Sequence, residues 1–167
     1  INETNIGSYT SEGFQLGTGT AAAQLHLFSA DTTDQVIIEN NDTGLDTAPD
    51  VVLYRNSTST ADNDNLGNIE FRGRNDNSQD HTYAQILAKI DDASDTTEDG
   101  IIDIITSNAG TNSTRIRAIR DRVGVNETNP QHTFHVTQSS LSTGVFVESK
   151  QNVASSAANV VLYHHRG

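Results

Sequence analysis

Three short apolar runs in this chain recur at one offset of 109 residues, which predicts that the fold uses similar strands twice. The runs and their matches are "LHL" (25–27) and "FHV" (134–136), "VIIE" (36–39) and "VFVE" (145–148), and "VVLY" (51–54) and "VVLY" (160–163). The three matches need no gap between them, which predicts a repeat of about 109 residues. We therefore expect residues 1–13 to be a connector or the tail of a preceding unit, 14–122 to form a complete unit, and 123–167 to begin a second unit, with 123–136 as its connector.

The remaining apolar residues lie in brief runs rich in Val, Ile and Leu, separated by turns rich in Asn, Asp and Thr. Such runs predict strands, here at residues 24–28, 35–39, 50–55, 68–74, 83–91, 100–107 and 114–120. The run at 83–91 contains good helix formers, but its period-two apolar residues and strand neighbours favour a strand. The spacing predicts an all-β chain of sandwich-like or barrel-like units, without the strand–helix alternation of a βαβ fold.

The charge balance limits the partners that the chain can bind. Lys and Arg total 10 against 22 Asp and Glu, which gives a formal net charge of −12. Binding to nucleic acid or to an anionic membrane surface needs clustered positive charge, so neither is expected. No apolar run approaches the ~20 residues of a transmembrane helix. The absence of Cys excludes disulfides and thiolate metal sites.

Two acidic loops are the first candidates for chemistry. The loop at 91–100 contains Asp91, Asp92, Asp95, Glu98 and Asp99, and the loop at 61–67 is similar. Oxygen-rich loops can bind Ca²⁺, but the spacing differs from that of an EF-hand. Paired carboxylates could also cleave a glycosidic bond, although nothing in the sequence marks a pocket around them. We interpret both loops as solvated turns.

Histidines are the second candidates. His26 and His135 occupy equivalent places in the two copies of the repeat. A ring of histidines around a threefold axis could hold a metal, but a packed or hydrogen-bonded structural role is the favoured interpretation. His164 and His165 are adjacent, so in a strand they would face opposite ways. The sequence therefore predicts no catalytic residue, no cofactor and no metal ligand, and the chain is not expected to be an enzyme.

The seam between the two copies, "VGVNETNPQHTFHV" at 123–136, carries a resemblance. It resembles the "VGIGT-x-x-P-x-x-x-LHV" stretch of tail fibres and tailspikes of tailed bacteriophages, which often precedes an endosialidase-type intramolecular chaperone. Asn126 and Glu127 stand where that stretch usually has Gly and Thr. The run beginning "VVLYRNS", with "DNLGNIEFRGRN", "YAQILAKIDD" and "TEDG", is similar to the body of the same proteins.

The resemblance implies an elongated, β-rich homotrimer in which sandwich-like units are joined by short β connectors. The composition agrees with the implied trimer, because one polar unit buries little apolar area and exposes strand edges that other chains could pair.

We therefore expect a structural segment of a bacteriophage fibre, with a tail-fibre shaft as the leading hypothesis. The expected location is the virion exterior, and the expected partners are other copies, other virion proteins and, through a distal region, a host glycan. The alternatives are a carbohydrate-binding or depolymerising tailspike domain and a bacterial surface adhesin or matrix fibre.

Overall fold

The computed structural model describes residues 8–10, 13–16, 23, 25–45 and 48–137. These residues contain nine strands and no helix, which confirms the all-β prediction for this part of the chain. The chain divides into two compact units, residues 1–52 and residues 53–167.

The first unit contains a small sheet of three short strands. They are β1 (Ser8–Thr10), β2 (Gly13–Leu16) and β3 (Leu25–Leu27), arranged in that order. The pair β1 and β2 is antiparallel, and the pair β2 and β3 is parallel. The predicted strand at 24–28 is thus present as β3.

The second unit contains a six-stranded sheet in sequence order. Its strands are β4 (Asn65–Arg74), β5 (Asp80–Asp92), β6 (Asp99–Asn108), β7 (Thr111–Ile119), β8 (Arg122–Val125) and β9 (Phe134–Val136). Neighbours from β4 to β8 are antiparallel, and β9 pairs in parallel with β8. The predicted strands at 68–74, 83–91, 100–107 and 114–120 are all confirmed, and the run at 83–91 is a strand rather than a helix.

Tight turns explain the regular meander of this sheet. At the turn between β6 and β7, Ala109 and Gly110 both have positive φ, 48° and 79°. Two consecutive residues in this region match the right-handed twist of the flanking strands. At the turn between β4 and β5, the side chain of Asn75 accepts hydrogen bonds from the backbone N–H groups of Asn77 (3.0 Å) and Gln79 (2.9 Å). Neighbouring strands can therefore pair with few residues between them.

The prediction of strands at 35–39 and 50–55 is wrong, because neither run forms a strand. Their apolar side chains are exposed, with Ile37 at 74% and Val52 at 80% of full accessibility. A strand needs a neighbour for its backbone hydrogen bonds, and no described strand pairs with either run. Local β propensity is therefore insufficient to make a strand of them within one chain.

The two-layered sandwich is also not formed among the described residues of the second unit, since all their strands lie in one sheet. The core of this part is correspondingly small. Among the described residues, Ile101 is 4% exposed and Asp103 is 2% exposed, and large side chains such as Phe71 remain half exposed. Many apolar side chains of the described residues are therefore in contact with solvent.

The two sheets share one pairing pattern. Each facing pair of the first sheet has a counterpart in the second sheet at residue numbers larger by 109. For example, Phe14 faces Leu25 and Val123 faces Phe134. The predicted matches at 145–148 and 160–163, like the expected course of residues 138–167, lie outside the described residues.

Candidate functional site

One face of the six-stranded sheet carries a continuous row of aliphatic side chains. In this row each residue faces the next across neighbouring strands: Ile69, Ile86, Ile104, Ile116, Val125 and Val136. Because alternate residues of a strand point to opposite sides, all six lie on the same face. The four isoleucines are between 39% and 49% exposed, so no other part of the described chain covers them fully.

A second row runs beside the first on the same face, two residues along each strand. It consists of Gly67, Ala88, Ile102, Ala118, Val123 and Phe134. We call these two rows together the uncharged face, because none of their twelve residues is ionisable. Phe134 is 65% exposed and Ile102 is 51% exposed. Contiguous exposed apolar surface is found at protein–protein interfaces, in ligand-binding grooves and on aggregation-prone surfaces.

The borders of the uncharged face are polar. At one end, Arg115 at a bulge in β7 donates a hydrogen bond from Nε to Thr106 Oγ1 (3.1 Å). At the other end, the small residues Ala88, Gly100 and Ala118 leave a hollow of about 410 Å³, whose lining also includes Lys89 and Arg120. The face is thus an apolar strip with charged margins, and sequence alone did not predict its extent.

The opposite face holds a buried ion pair. Arg117 donates to both carboxylate oxygens of Asp103, from Nε to Oδ1 (2.7 Å) and from Nη2 to Oδ2 (2.6 Å). The Asp103 side chain is 3% exposed and that of Arg117 is 17% exposed. The hydrogen bond to Asp103 is the main reason that the pKa of Arg117 is raised. Such a bidentate ion pair fixes the orientation of the guanidinium and carboxylate groups.

Arg117 also contacts the middle of the connector, which is the loop between β8 and β9 at residues 126–133. Its Nη1 donates to the carbonyl oxygen of Thr128 (2.9 Å), and Arg122 Nη1 donates to that of Pro130 (3.0 Å). Asn126 adopts a left-handed conformation (φ 53°), and its backbone N–H donates to the carbonyl oxygen of Arg115 (2.8 Å). Two guanidinium groups therefore satisfy connector carbonyls and hold the loop against the sheet.

Glu127 accepts hydrogen bonds from within the connector loop and from the residue that follows β9. Its carboxylate accepts hydrogen bonds from the backbone N–H of Asn129 (2.7 Å) and from Thr137 Oγ1 (2.9 Å). The first of these is the main reason that the pKa of Glu127 is lowered. Glu127 is one of the residues that differ from the phage connector stretch, and here it has a defined structural task.

The two histidines of the repeat are placed by the same register. His26 faces Gln15, and His135 faces Gly124. The row containing Gly124 and His135 lies between the two rows of the uncharged face in sequence register, so it belongs to the opposite side of the sheet. The His135 ring accepts from the backbone N–H of Gln131 at Nδ1 (3.3 Å) and lies 3.4 Å from Thr137 Oγ1 at Nε2. These contacts agree with a hydrogen-bonded structural role, while His164 and His165 lie outside the described residues.

The acidic loops use their carboxylates in local contacts. Arg120 Nε lies 2.7 Å from Asp91 Oδ2, an ion pair without hydrogen-bond geometry, and 3.2 Å from Asp99 Oδ2. Asp62 Oδ1 accepts from the backbone N–H of Ala93 (2.9 Å), which ties the loop at 61–67 to the loop at 91–100.

Two other carboxylates in these loops cap turns. Hydrogen bonds from the backbone N–H groups of Ala61 and Ser94 are the main reasons that the pKa values of Asp64 and Asp92 are lowered. Within the described residues, no group of three or more His, Asp or Glu side chains is arranged to hold a metal ion.

One polar cleft was missed by the sequence analysis. It has a volume of about 320 Å³ and is lined by Asn75, His81, Tyr83, Ser107, Ala109 and Gly110. His81 Nε2 lies 2.9 Å from Ser107 Oγ, and the rings of His81 and Tyr83 meet edge to face at 4.8 Å. The available signal was the spacing of His81 and Tyr83, which places both on one side of a strand.

Comparisons with known proteins give no assignment. No family model matches the chain, and no curated protein is significantly similar to it. No helix among the described residues is long and apolar enough to cross a membrane.

Proposed function

We propose that this chain is a structural segment of a bacteriophage fibre, namely of a tail-fibre shaft, and that three copies assemble to form it. The observation that carries the proposal is the uncharged face, which spans six strands and stays exposed, while the described residues form only a very small core. Folding of so polar a unit needs additional buried area. Association of several chains supplies that area and couples folding to assembly.

The task of such a segment is mechanical. It holds a distal receptor-binding region away from the particle and transmits load between that region and other virion proteins on the outside of the virion. The resemblance of residues 51–136 to phage fibres supports this assignment. The shared pairing pattern at an offset of 109 residues supports stacked units, because each unit would present the next connector in the same way.

The oligomeric state tests this proposal. Size-exclusion chromatography with light scattering on the 167-residue chain is expected to give three times the chain mass of 18.0 kDa. Negative-stain electron microscopy of the same fractions is expected to show elongated particles. A folded monomer that persists at micromolar concentration would contradict the proposal.

A second candidate function is carbohydrate binding, as in a tailspike. The polar cleft favours it, because an exposed Tyr83 ring beside the hydrogen-bonding groups of Asn75, His81 and Ser107 suits a sugar. Binding of bacterial surface polysaccharides by the trimer tests it, with Tyr83→Ala as the variant expected to lose binding. Tyr54→Ala is the control, because Tyr54 is 79% exposed and does not line the cleft.

A further inference from the structure

We infer that the uncharged face is buried against the same face of other copies of this chain, around the axis of the fibre, and not against a protein of different sequence. This inference rests on the proposed trimer and adds which side of the sheet faces the axis. The opposite side, with the Asp103–Arg117 pair and His135, would then face outward.

Charge supports a partner identical to this chain. Each copy carries a formal net charge of −12, so copies repel one another at most contact geometries. The uncharged face contributes no charge to that repulsion, since none of its twelve residues is ionisable. A foreign partner for so acidic a chain would gain most from positive charge directed at acidic groups, and the uncharged face offers no such groups.

Repetition supports the same partner. The positions of Val123 and Phe134 correspond to Phe14 and Leu25, and those of Val125 and Val136 correspond to Leu16 and Leu27, each 109 residues earlier. All eight residues are apolar. Between them, Gly124 and His135 correspond to Gln15 and His26, so the apolar–polar–apolar alternation is kept.

An apolar pattern that recurs at one offset in the sequence requires a partner whose own apolar pattern recurs at the same offset. Another copy of this chain meets that requirement without further assumption. A closed ring of identical copies also satisfies every copy equally.

The described residues cover little of the uncharged face. Leu53 lies against Gly67, where an added Cβ would come within 2.8 Å of Leu53 Cδ1. Away from this margin, Ile86, Ile104 and Ile116 each remain 39% exposed. The uncovered middle of the face is therefore the part that other copies would bury.

Cysteine cross-linking tests the inference in a chain that has no native Cys. Ile86→Cys introduces a thiol on the uncharged face, and Gln85→Cys introduces one on the neighbouring residue of the same strand, which points to the other side. After mild oxidation, or with a short bis-maleimide, Ile86→Cys is expected to give covalent dimers at a yield independent of dilution. Gln85→Cys is expected to give at least tenfold less.

The masses of both variants separate this inference from the proposed function. If both variants are trimeric and Gln85→Cys cross-links while Ile86→Cys does not, the trimer stands and the inference is wrong. If light scattering of the unmodified chain gives a monomer, the trimer and the inference both fail. Ile104→Cys is a third variant, because Ile104 faces Ile86 in the same row of the uncharged face. Failure of Ile104→Cys to cross-link in a folded trimer would also contradict the inference.

Discussion

At the scale of single residues, Arg117 links sheet and connector. It neutralises Asp103, which is almost fully buried, and it donates to the Thr128 carbonyl of the connector. The ion pair is not evidence of stability in itself, because desolvation offsets much of the attraction. Removing only one member of the pair is costly, however, because the other member stays buried as a charge without a partner.

Arg117→Met is therefore expected to lower the free energy of unfolding by about 3–5 kcal/mol. Urea denaturation at fixed protein concentration measures this. Arg74→Met is the matched control, because Arg74 and Asp80 form an ion pair whose side chains are 72% and 66% exposed, and such pairs contribute about 0–1 kcal/mol. Equal effects of the two substitutions would contradict the role given to Arg117.

Glu127 gives the connector a dependence on pH. Its pKa is lowered in the folded chain from an ordinary value of 4.5. Its contribution to stability is therefore fully present above that value and is lost as the pH falls through the lowered pKa. Glu127→Gln is expected to remove part of the acid sensitivity of the melting temperature below about pH 4.5. Glu98→Gln, in an exposed turn, is the control and is expected to leave the profile unchanged.

At the scale of elements, the connector depends on close contact at Gly124. A Cβ there would overlap the backbone carbonyl oxygen of Glu127, and no flexible side chain can move aside to relieve it. Gly124→Ala is expected to destabilise the chain by about 1–3 kcal/mol, as overpacking does. Thermal melting measures the effect. Gly73→Ala is the control, because its Cβ would meet the Tyr83 ring at an ordinary 3.4 Å.

The strands of the six-stranded sheet were predictable because each carries its own pattern and has a neighbour close in sequence. The run at 83–91 formed strand β5 because β4 and β6 lie on either side of it, a tertiary effect that overrides the helix propensity of Ala, Leu and Lys. The runs at 36–39 and 51–54 are also rich in residues that favour strands, but no described strand pairs with them. The propensity of a run does not tell whether a pairing partner is present beside it.

The ion pair of Asp103 and Arg117 was also not predicted, although a signal existed. Asp103 interrupts the run "IIDII", and a carboxylate flanked by four isoleucines needs a partner if the strand is covered. Naming Arg117 as that partner requires the register of β6 against β7, which includes a bulge between Ile104 and Ile105. A one-residue error in register would have paired Arg117 with a residue of β6 other than Asp103.

At the scale of the whole molecule, protein contacts hold the acidic loops at 61–67 and 91–100. Arg120 lies within ion-pair distance of Asp91 and Asp99, and Asp62 holds the backbone of Ala93. Thermal melts with chelator and with millimolar Ca²⁺ are therefore expected to coincide. A large rise in melting temperature that grows with Ca²⁺ concentration, as mass action requires, would contradict this and favour the adhesin hypothesis.

The central claim is that identical copies bury the uncharged face against one another. Sedimentation equilibrium of the unmodified chain and of Ile104→Asp tests it most directly, because Ile104 lies in the aliphatic row and a buried carboxylate without a partner is strongly unfavourable. We predict three times the chain mass for the unmodified chain and the mass of one chain for Ile104→Asp, with Leu45→Asp, at a fully exposed position, remaining trimeric. A trimer that tolerates Ile104→Asp without loss of mass or stability would contradict the claim.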